Sequence, residues 1–396
     1  MSTGYFEFWA RTRVHCAVGA TVRLPALLAS LGATRVLLLS DKGLAHAGLV
    51  DKVATVLRAA DAGNQFRLAG IYTEVSPDAG SACVNAATRY AREVGADAIV
   101  ALGGGSAMDV AKGVKYCLAH GLLDICEALA AGLRMETGGR HMGIAHISVP
   151  TTAGTGSEMT NGAVIFNDNT GVKALLTAPW LESDIALLDA QLTVGLPAAI
   201  TADTGMDALT HAVEALVNPV SNPFTDGLAL SAVERILSAL PTAVHDGGNL
   251  QAREDMLQAA SMACLALANA PAAAPVHNCS HALGALYHIP HGRANGVLLP
   301  VVMEEVIEFY VPYAATLAKA FGLAQSADPE ATVRRVIERI TQLQQAVRMP
   351  ADFANFKIPA GELERIVMAV ASDPLAMLYP IPPARIARIA TRVMGN

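Results

Sequence analysis

Apolar and polar positions divide the chain into two stretches of different rhythm. In the first, short apolar runs alternate with amphipathic segments. Residues 34–40 (TRVLLLS) and 97–102 (DAIVAL) are too short for core helices and rich in aliphatic residues, so they read as buried strands. Residues 66–72, 144–149 and 185–188 read the same way, and the aromatic-bearing stretch 5–14 reads as a further strand. Between them, 24–31, 49–60 and 79–93 repeat at the helical period, with Gly32 and Gly95 placed to end the first and last. This alternation predicts a parallel sheet with helices on both faces, whose ligands bind beyond the carboxyl ends of the strands. From Pro197 onward only helical periodicity remains, over 198–217, 224–239, 253–268, 276–288, 295–310, 332–347, 360–371 and 383–394. The expected architecture is an α/β domain over residues 1–195, with a parallel sheet, followed by an all-α domain over 196–396; the motifs below make the first the dinucleotide-binding and the second the metal-binding candidate.

Composition narrows the picture. Hydrophobic residues make up 53% and charged residues 16%, which implies a large core and excludes disorder on compositional grounds. The net charge of −7 and the lack of a basic block argue against nucleic acid and anionic membranes as partners. The first residues lack the basic-then-apolar layout of a secretion signal. Residues 256–276 carry no charge and are long enough to span a bilayer, but Gln258, Asn269, Pro271 and Pro275 interrupt them, so a buried core helix is expected. Six cysteines without a C-x-x-C pair read as reduced thiols in a cytoplasmic protein.

Candidate chemistry concentrates at 276–292, VHNCSHALGALYHIPHG, which holds four of the eleven histidines. His277 and His281 are four apart, hence on one helix face, and His288 falls near it. Pro290 is expected to stop that helix and leave His291 on a loop. Upstream, Asp207 and His211 are also four apart. Asp207, His211, His277 and His291 together would offer one carboxylate and three imidazoles, a set suited to Fe or Zn. Single pairs at this spacing also occur as ordinary core or surface contacts.

The sheet half carries two glycine-rich segments after strands. Gly103, Gly104, Gly105 and Ser106 precede a helix; glycines admit a close diphosphate, and a helix start offers free N–H groups. Ser106 and Asp109 have capping-box spacing. A purely structural turn would look the same. In 149–158, VPTTAGTGSE, Thr151, Thr152, Thr155 and Ser157 supply hydroxyls, and Thr155 with Glu158 forms a second possible box. Asp41 follows the first buried strand. It could accept from ribose hydroxyls and repel a 2′-phosphate, or simply cap the next loop.

Asp207-Ala-Leu-Thr-His211, Val276-His277, His281 and Pro290-His291-Gly292 resemble the metal motif of the iron-containing (group III) alcohol dehydrogenases, within the dehydroquinate-synthase-like superfamily. The run GGGS-x-x-D-x-A-K, ending at Lys112, and the segment 149–158 resemble that family's cofactor motifs. The resemblance implies NAD(P)-dependent interconversion of a primary alcohol and its aldehyde by metal-assisted hydride transfer. It implies a divalent ion, Fe(II) favoured and Zn(II) the alternative, on Asp207, His211, His277 and His291. His281 would then be catalytic, beside the nicotinamide, and neither His281 nor His288 a ligand. Asp41, Gly103, Gly104, Gly105, Ser106, Asp109, Thr151, Thr152, Thr155 and Lys173 would bind the cofactor, NAD in preference to NADP. A homodimer acting on a small-molecule alcohol or aldehyde is implied as well. Gly162, where relatives carry bulkier residues, and 379–387, which lacks the usual Asn-Pro-Arg, depart from the pattern. Alternatives are a glycerol-type dehydrogenase or sugar-phosphate cyclase of the same superfamily, or a metal- or nucleotide-binding protein without turnover.

Overall fold

A computed structural model describes residues 5–129 and 139–395. The chain forms two compact units, one of Ala10–Thr152 with Gly156–Gly195, the other of Met1–Trp9, Ala153–Thr155 and Leu196–Asn396.

The first unit is built on β1 (Arg13–Cys16), α1 (Leu24–Ser30), β2 (Arg35–Leu39), α2 (Lys42–His46), α3 (Leu49–Ala62), β3 (Arg67–Tyr72), α4 (Ser81–Glu93), β4 (Ala98–Gly103), α5 (Gly105–His120), α6 (Cys126–Leu129), β5 (Ala145–Pro150), β6 (Gly162–Asn167), β7 (Val172–Thr177) and β8 (Ile185–Leu188). Six strands make one parallel sheet in the order β1-β8-β5-β4-β2-β3. The continuous apolar runs have a direct cause: alternate residues of one strand enter different cores. Leu37, Leu39, Ile99 and Ala101 pack on one face, and Val36, Leu38, Val100 and Leu102 on the other.

Two expectations fail in this unit. The strand expected over 5–14 exists only as Arg13–Cys16. The aromatics before it belong to the other unit, where Phe8 stacks on Phe224 at 5.2 Å between ring centroids. There the Asn269 amide serves Trp9's backbone, accepting its N–H at 2.8 Å and donating to its C=O at 3.0 Å. A side chain thus replaces the ladder partner. Secondly, β8 is not the only strand after β5: β6 and β7 form an antiparallel hairpin. The turn residues Asn167, Asp168, Asn169 and Gly171 mark it in the sequence.

The second unit is helical: α7 (Ala198–Leu216), α8 (Pro223–His245), α9 (Leu250–Ala268), α10 (Pro275–Tyr287), α11 (His291–Glu305), α12 (Ile307–Tyr310), α13 (Ala314–Ala320), α14 (Pro329–Ala346), α15 (Leu363–Ser372) and α16 (Pro383–Val393). The uncharged run 256–276 is split between α9 and α10, with Met256, Ala259, Ala260, Ala263 and Val276 in the core. Glycines set the helix spacing that matters most. A Cβ on Gly292 would lie 2.7 Å from the Asp203 carbonyl oxygen, and one on Gly296 2.9 Å from the Met206 Cβ. These two positions, one turn apart on α11, let it lie directly against α7.

Candidate functional site

That close approach brings three helices to one point. α7 contributes Asp207 and His211, α10 contributes His277, and α11 contributes His291, each offering a ligand atom within 4.8 Å of the others. Asp207 and His277 are 1% and 5% exposed, so this is a buried polar cluster rather than a surface accident. Burial, above all, pushes His211 and His277 down to about 4, which keeps both imidazoles neutral at pH 7 with a lone pair to donate. One carboxylate and three imidazoles converging in a largely buried site fit a divalent transition-metal ion.

Two residues that spacing alone does not reveal complete the cluster. The Asn295 amide nitrogen lies 2.7 Å from Asp207 Oδ1 and 3.1 Å from Nε2 of both His277 and His291, so those three atoms surround one point. Glu214, fully buried, accepts the Val276 N–H at 2.6 Å and lies 2.5 Å from His277 Nδ1. With no ion in the site, burial pushes its carboxyl up to about 8. Its place is readable afterwards: Glu214 sits one turn beyond His211 on the same face of α7.

His281 does not join the four. Its ring centroid is 6.0 Å from that of His277 and 5.5 Å from that of His291, with Asp373 Oδ2 3.7 Å from its Nδ1. His288 is the left-handed cap of α10, at φ 53°. The expected loop position of His291 is corrected: α10 already ends at Tyr287, Pro290 caps α11, and His291 is its first residue. Proline suits a helix start because its missing N–H would have no intrahelical partner there.

In the sheet unit, three neighbouring strands present the other candidate residues at one edge. Asp41 lies two residues past the end of β2, Gly103 ends β4, and Thr151 directly follows β5. The Thr151 N–H donates to the Gly103 carbonyl at 3.0 Å, and a Cβ on Gly104 would lie 3.2 Å from Thr152 Oγ1. Gly105 opens α5 and Ser106 follows it. Asp41 caps α2 through the Leu44 N–H at 2.9 Å, while Lys42 pairs with Glu74 at 2.6 Å.

The two capping boxes do not form. Gly104 caps α5 without a side-chain bond, because the helix starts before Ser106. Asp109 instead accepts from Ser157 Oγ at 2.7 Å and from the Val164 N–H at 3.2 Å. Gly156, at φ 58°, precedes the short turn Ser157–Met159, again with no side-chain cap, and Glu158 is buried. Thr155 clusters with the helical unit. Lys173 pairs with Asp78 at 2.7 Å. Lys112, fully buried, donates to Ser157 Oγ, Thr160 Oγ1 and the Gly162 carbonyl at 2.8, 3.0 and 2.6 Å.

The family profile for iron-containing alcohol dehydrogenase matches residues 11–190, and that for the C-terminal region of the Fe-containing alcohol dehydrogenase family matches 201–388. The chain belongs to the iron-containing alcohol dehydrogenase family. It is 36% identical over 374 residues to long-chain-alcohol dehydrogenase 1 of Geobacillus thermodenitrificans, covering 93% of this chain and 91% of that one. It is 33% identical over 374 residues to the 1-propanol dehydrogenase of Salmonella typhimurium, covering 93% of each. The solved structure of a 1,3-propanediol oxidoreductase is similar at a TM-score of 0.87 and 31% identity, over 98% of this chain and 100% of that one. This family member is thus an oxidoreductase that interconverts alcohols and aldehydes, on a parallel sheet followed by a helical region.

Proposed function

We propose that the chain oxidises a primary alcohol, or reduces its aldehyde, with NAD and a divalent ion held by Asp207, His211, His277 and His291. Fe(II) is the favoured ion. The observation that carries this reading is the convergence of those four donors within 4.8 Å from three helices. A divalent ion there supplies Lewis acidity toward the alcohol or carbonyl oxygen, and NAD supplies the hydride acceptor.

The residues of the chain do the rest. Asp207 brings the centre its one carboxylate, and the three histidines bring imidazole nitrogens. His281, with a side chain 22% exposed, has its ring 6.0 Å from that of His277 and 5.5 Å from that of His291, and it is proposed to carry the alcohol's proton outward. Glycines 103–105 and Thr151 and Thr152 form the proposed diphosphate cradle, with backbone N–H groups at the start of α5 facing the anion. Ser106 stands in that first turn. Thr155 and Lys173 are proposed cofactor contacts by family resemblance, and Asp109 is proposed to act through Ser157. Asp41 follows β2 where a ribose hydroxyl would be bound, and Lys42, tied to Glu74, is not offered to a 2′-phosphate. We extend the reading to a cytoplasmic homodimer. Six free cysteines suit a reducing compartment, and the exposed Tyr5, Phe6 and Phe224 are apolar surface of the kind a second copy would cover.

The test uses chelator-treated protein reloaded without oxygen with Fe(II), Zn(II) or nothing, and follows NADH consumption with a panel of aldehydes. Loaded protein is expected to turn over and unloaded protein to be silent. His277→Ala and Asp207→Ala are each expected to lose the ion and at least about a thousandfold in kcat/KM. Stoichiometric metal in either variant would sink the ligand set. His281→Ala should keep its metal and lose turnover.

A further inference from the structure

We propose that Glu214 is a positioning residue that makes His277 a metal ligand, by accepting its Nδ1–H and so leaving the Nε2 lone pair free. The inference rests on the reading of His277 as a ligand.

An imidazole that gives one nitrogen to an ion must carry its proton on the other, and the partner of that proton fixes the ring's tautomer and orientation. His277 points Nε2 at the cluster, 3.1 Å from the Asn295 amide that also touches Asp207 and His291. Its Nδ1 faces Glu214 Oε2 at 2.5 Å. The other oxygen, Oε1, accepts the Val276 N–H at 2.6 Å, so the carboxylate grips the first turn of α10 at two adjacent residues. A backbone N–H can only donate. With His277 holding an ion through Nε2, its ring proton sits on Nδ1, and the demands on Glu214 are then two acceptors, one for Val276 and one for His277.

Glutamine has the same shape but offers one acceptor and one donor. Its oxygen would go to the Val276 N–H, because the alternative sets two donors against each other at a fully buried position. Its NH2 group would then face His277 Nδ1 and make that nitrogen an acceptor. The ring proton would move to Nε2, where it blocks the lone pair. Glu214→Gln is thus a tautomer switch that barely changes volume.

The experiment compares Zn(II) affinity, by chelator competition, in wild type, His277→Ala and Glu214→Gln, with circular dichroism as the check on folding. Glu214→Gln is expected to bind Zn(II) about 10–100-fold more weakly. Histidine-labelled 15N NMR of its chelator-treated form is expected to find the His277 proton on Nε2. Folded Glu214→Gln with wild-type affinity, or with the proton on Nδ1, overturns the proposal. If His277→Ala loses affinity while Glu214→Gln keeps it, only this inference falls. If His277→Ala keeps it, the ligand reading falls too. Should Glu214→Gln not fold, zinc-loaded wild type decides the question: a proton on Nδ1 supports the proposal, and zinc on Nδ1 overturns it.

Discussion

The helical and sheet units carry their candidate chemistry in opposite forms. In the helical unit it lies in side chains: carboxylates and imidazoles are sent into a core rich in Ala, Leu, Val, Ile and Met, where Glu214 meets His277 and Asn295 meets Asp207. In the sheet unit it lies in backbone and in missing side chains, since Gly103, Gly104 and Gly105 leave the edge of β4 bare. The helical site should therefore be destroyed by removing atoms, and the sheet site by adding them. Both depend on close approach, Gly292 against α7 in one case and Gly103 against α5 in the other.

Lys112 is the place where that contrast is most exposed to failure, because there the sheet unit relies on a side chain. Its ammonium ties α5 to Ser157, Thr160 and Gly162, with Asp109 3.9 Å away. Lys112→Met leaves those acceptors without their donor and the Asp109 carboxyl without its countercharge. A loss of about 3 kcal/mol in unfolding free energy is expected from chemical denaturation. A loss near zero would mean that the buried network adds nothing over an apolar side chain. Gly103→Ala tests the additive half. Its Cβ would lie 2.5 Å from the Ala107 Cβ, so α5 must shift, at a cost of about 1–3 kcal/mol. NADH affinity, by fluorescence titration, is expected to fall with it, while bound metal stays stoichiometric. Loss of metal in Gly103→Ala would erase the distinction between the units.

A gentler probe of the same edge is Asp41→Ala. It removes the proposed ribose acceptor and the charge that disfavours a 2′-phosphate. The ratio of kcat/KM for NADH over NADPH is expected to fall about tenfold, roughly one hydrogen bond to a charged group. An unchanged ratio would leave Asp41 as the cap of α2 alone.

How much of this was legible in the sequence depended on whether a residue's partner was local. Asp207 and His211 share one helix, as do His277 and His281, and spacing alone aligns such pairs. Likewise β2 and β4 were readable because burial on both faces leaves an unbroken apolar run. The misreadings share a cause. Ser106 with Asp109, and Thr155 with Glu158, have capping-box spacing, but Asp109 is turned away by Ser157 and Val164, over forty positions distant. Trp9's backbone is served by Asn269, 260 residues along, so an extended aromatic stretch need not be a strand. Glu214 was missed because nothing local says that Val276 and His277 will come to it. The β6–β7 hairpin had a local signal in its turn and was readable in principle.

Acid should separate the units by a smaller amount. In the sheet unit, burial holds His146 well below its ordinary value, and the charges of Lys115 and Lys112 push it the same way. The unfolded chain takes up protons at a histidine near pH 6.5, so below that pH it binds protons the folded chain refuses. Stability must then fall with acid. In the helical unit His211 and His277, held near 4, act in the same direction between pH 6.5 and about 4. Glu214 opposes them: raised to about 8, it keeps a proton in the folded state that the unfolded chain releases above about 4.5, so acid from pH 8 to 4.5 favours folding there. His146 has no such counterweight among the groups shifting it. In chelator-treated protein, His146→Leu is expected to recover on the order of 1 kcal/mol of the stability lost between pH 7 and pH 5. Denaturation curves at the two pH values give the comparison. If the variant loses as much as wild type, acid sensitivity belongs to the helical unit, and the sheet's buried imidazole already accepts a proton in the folded state.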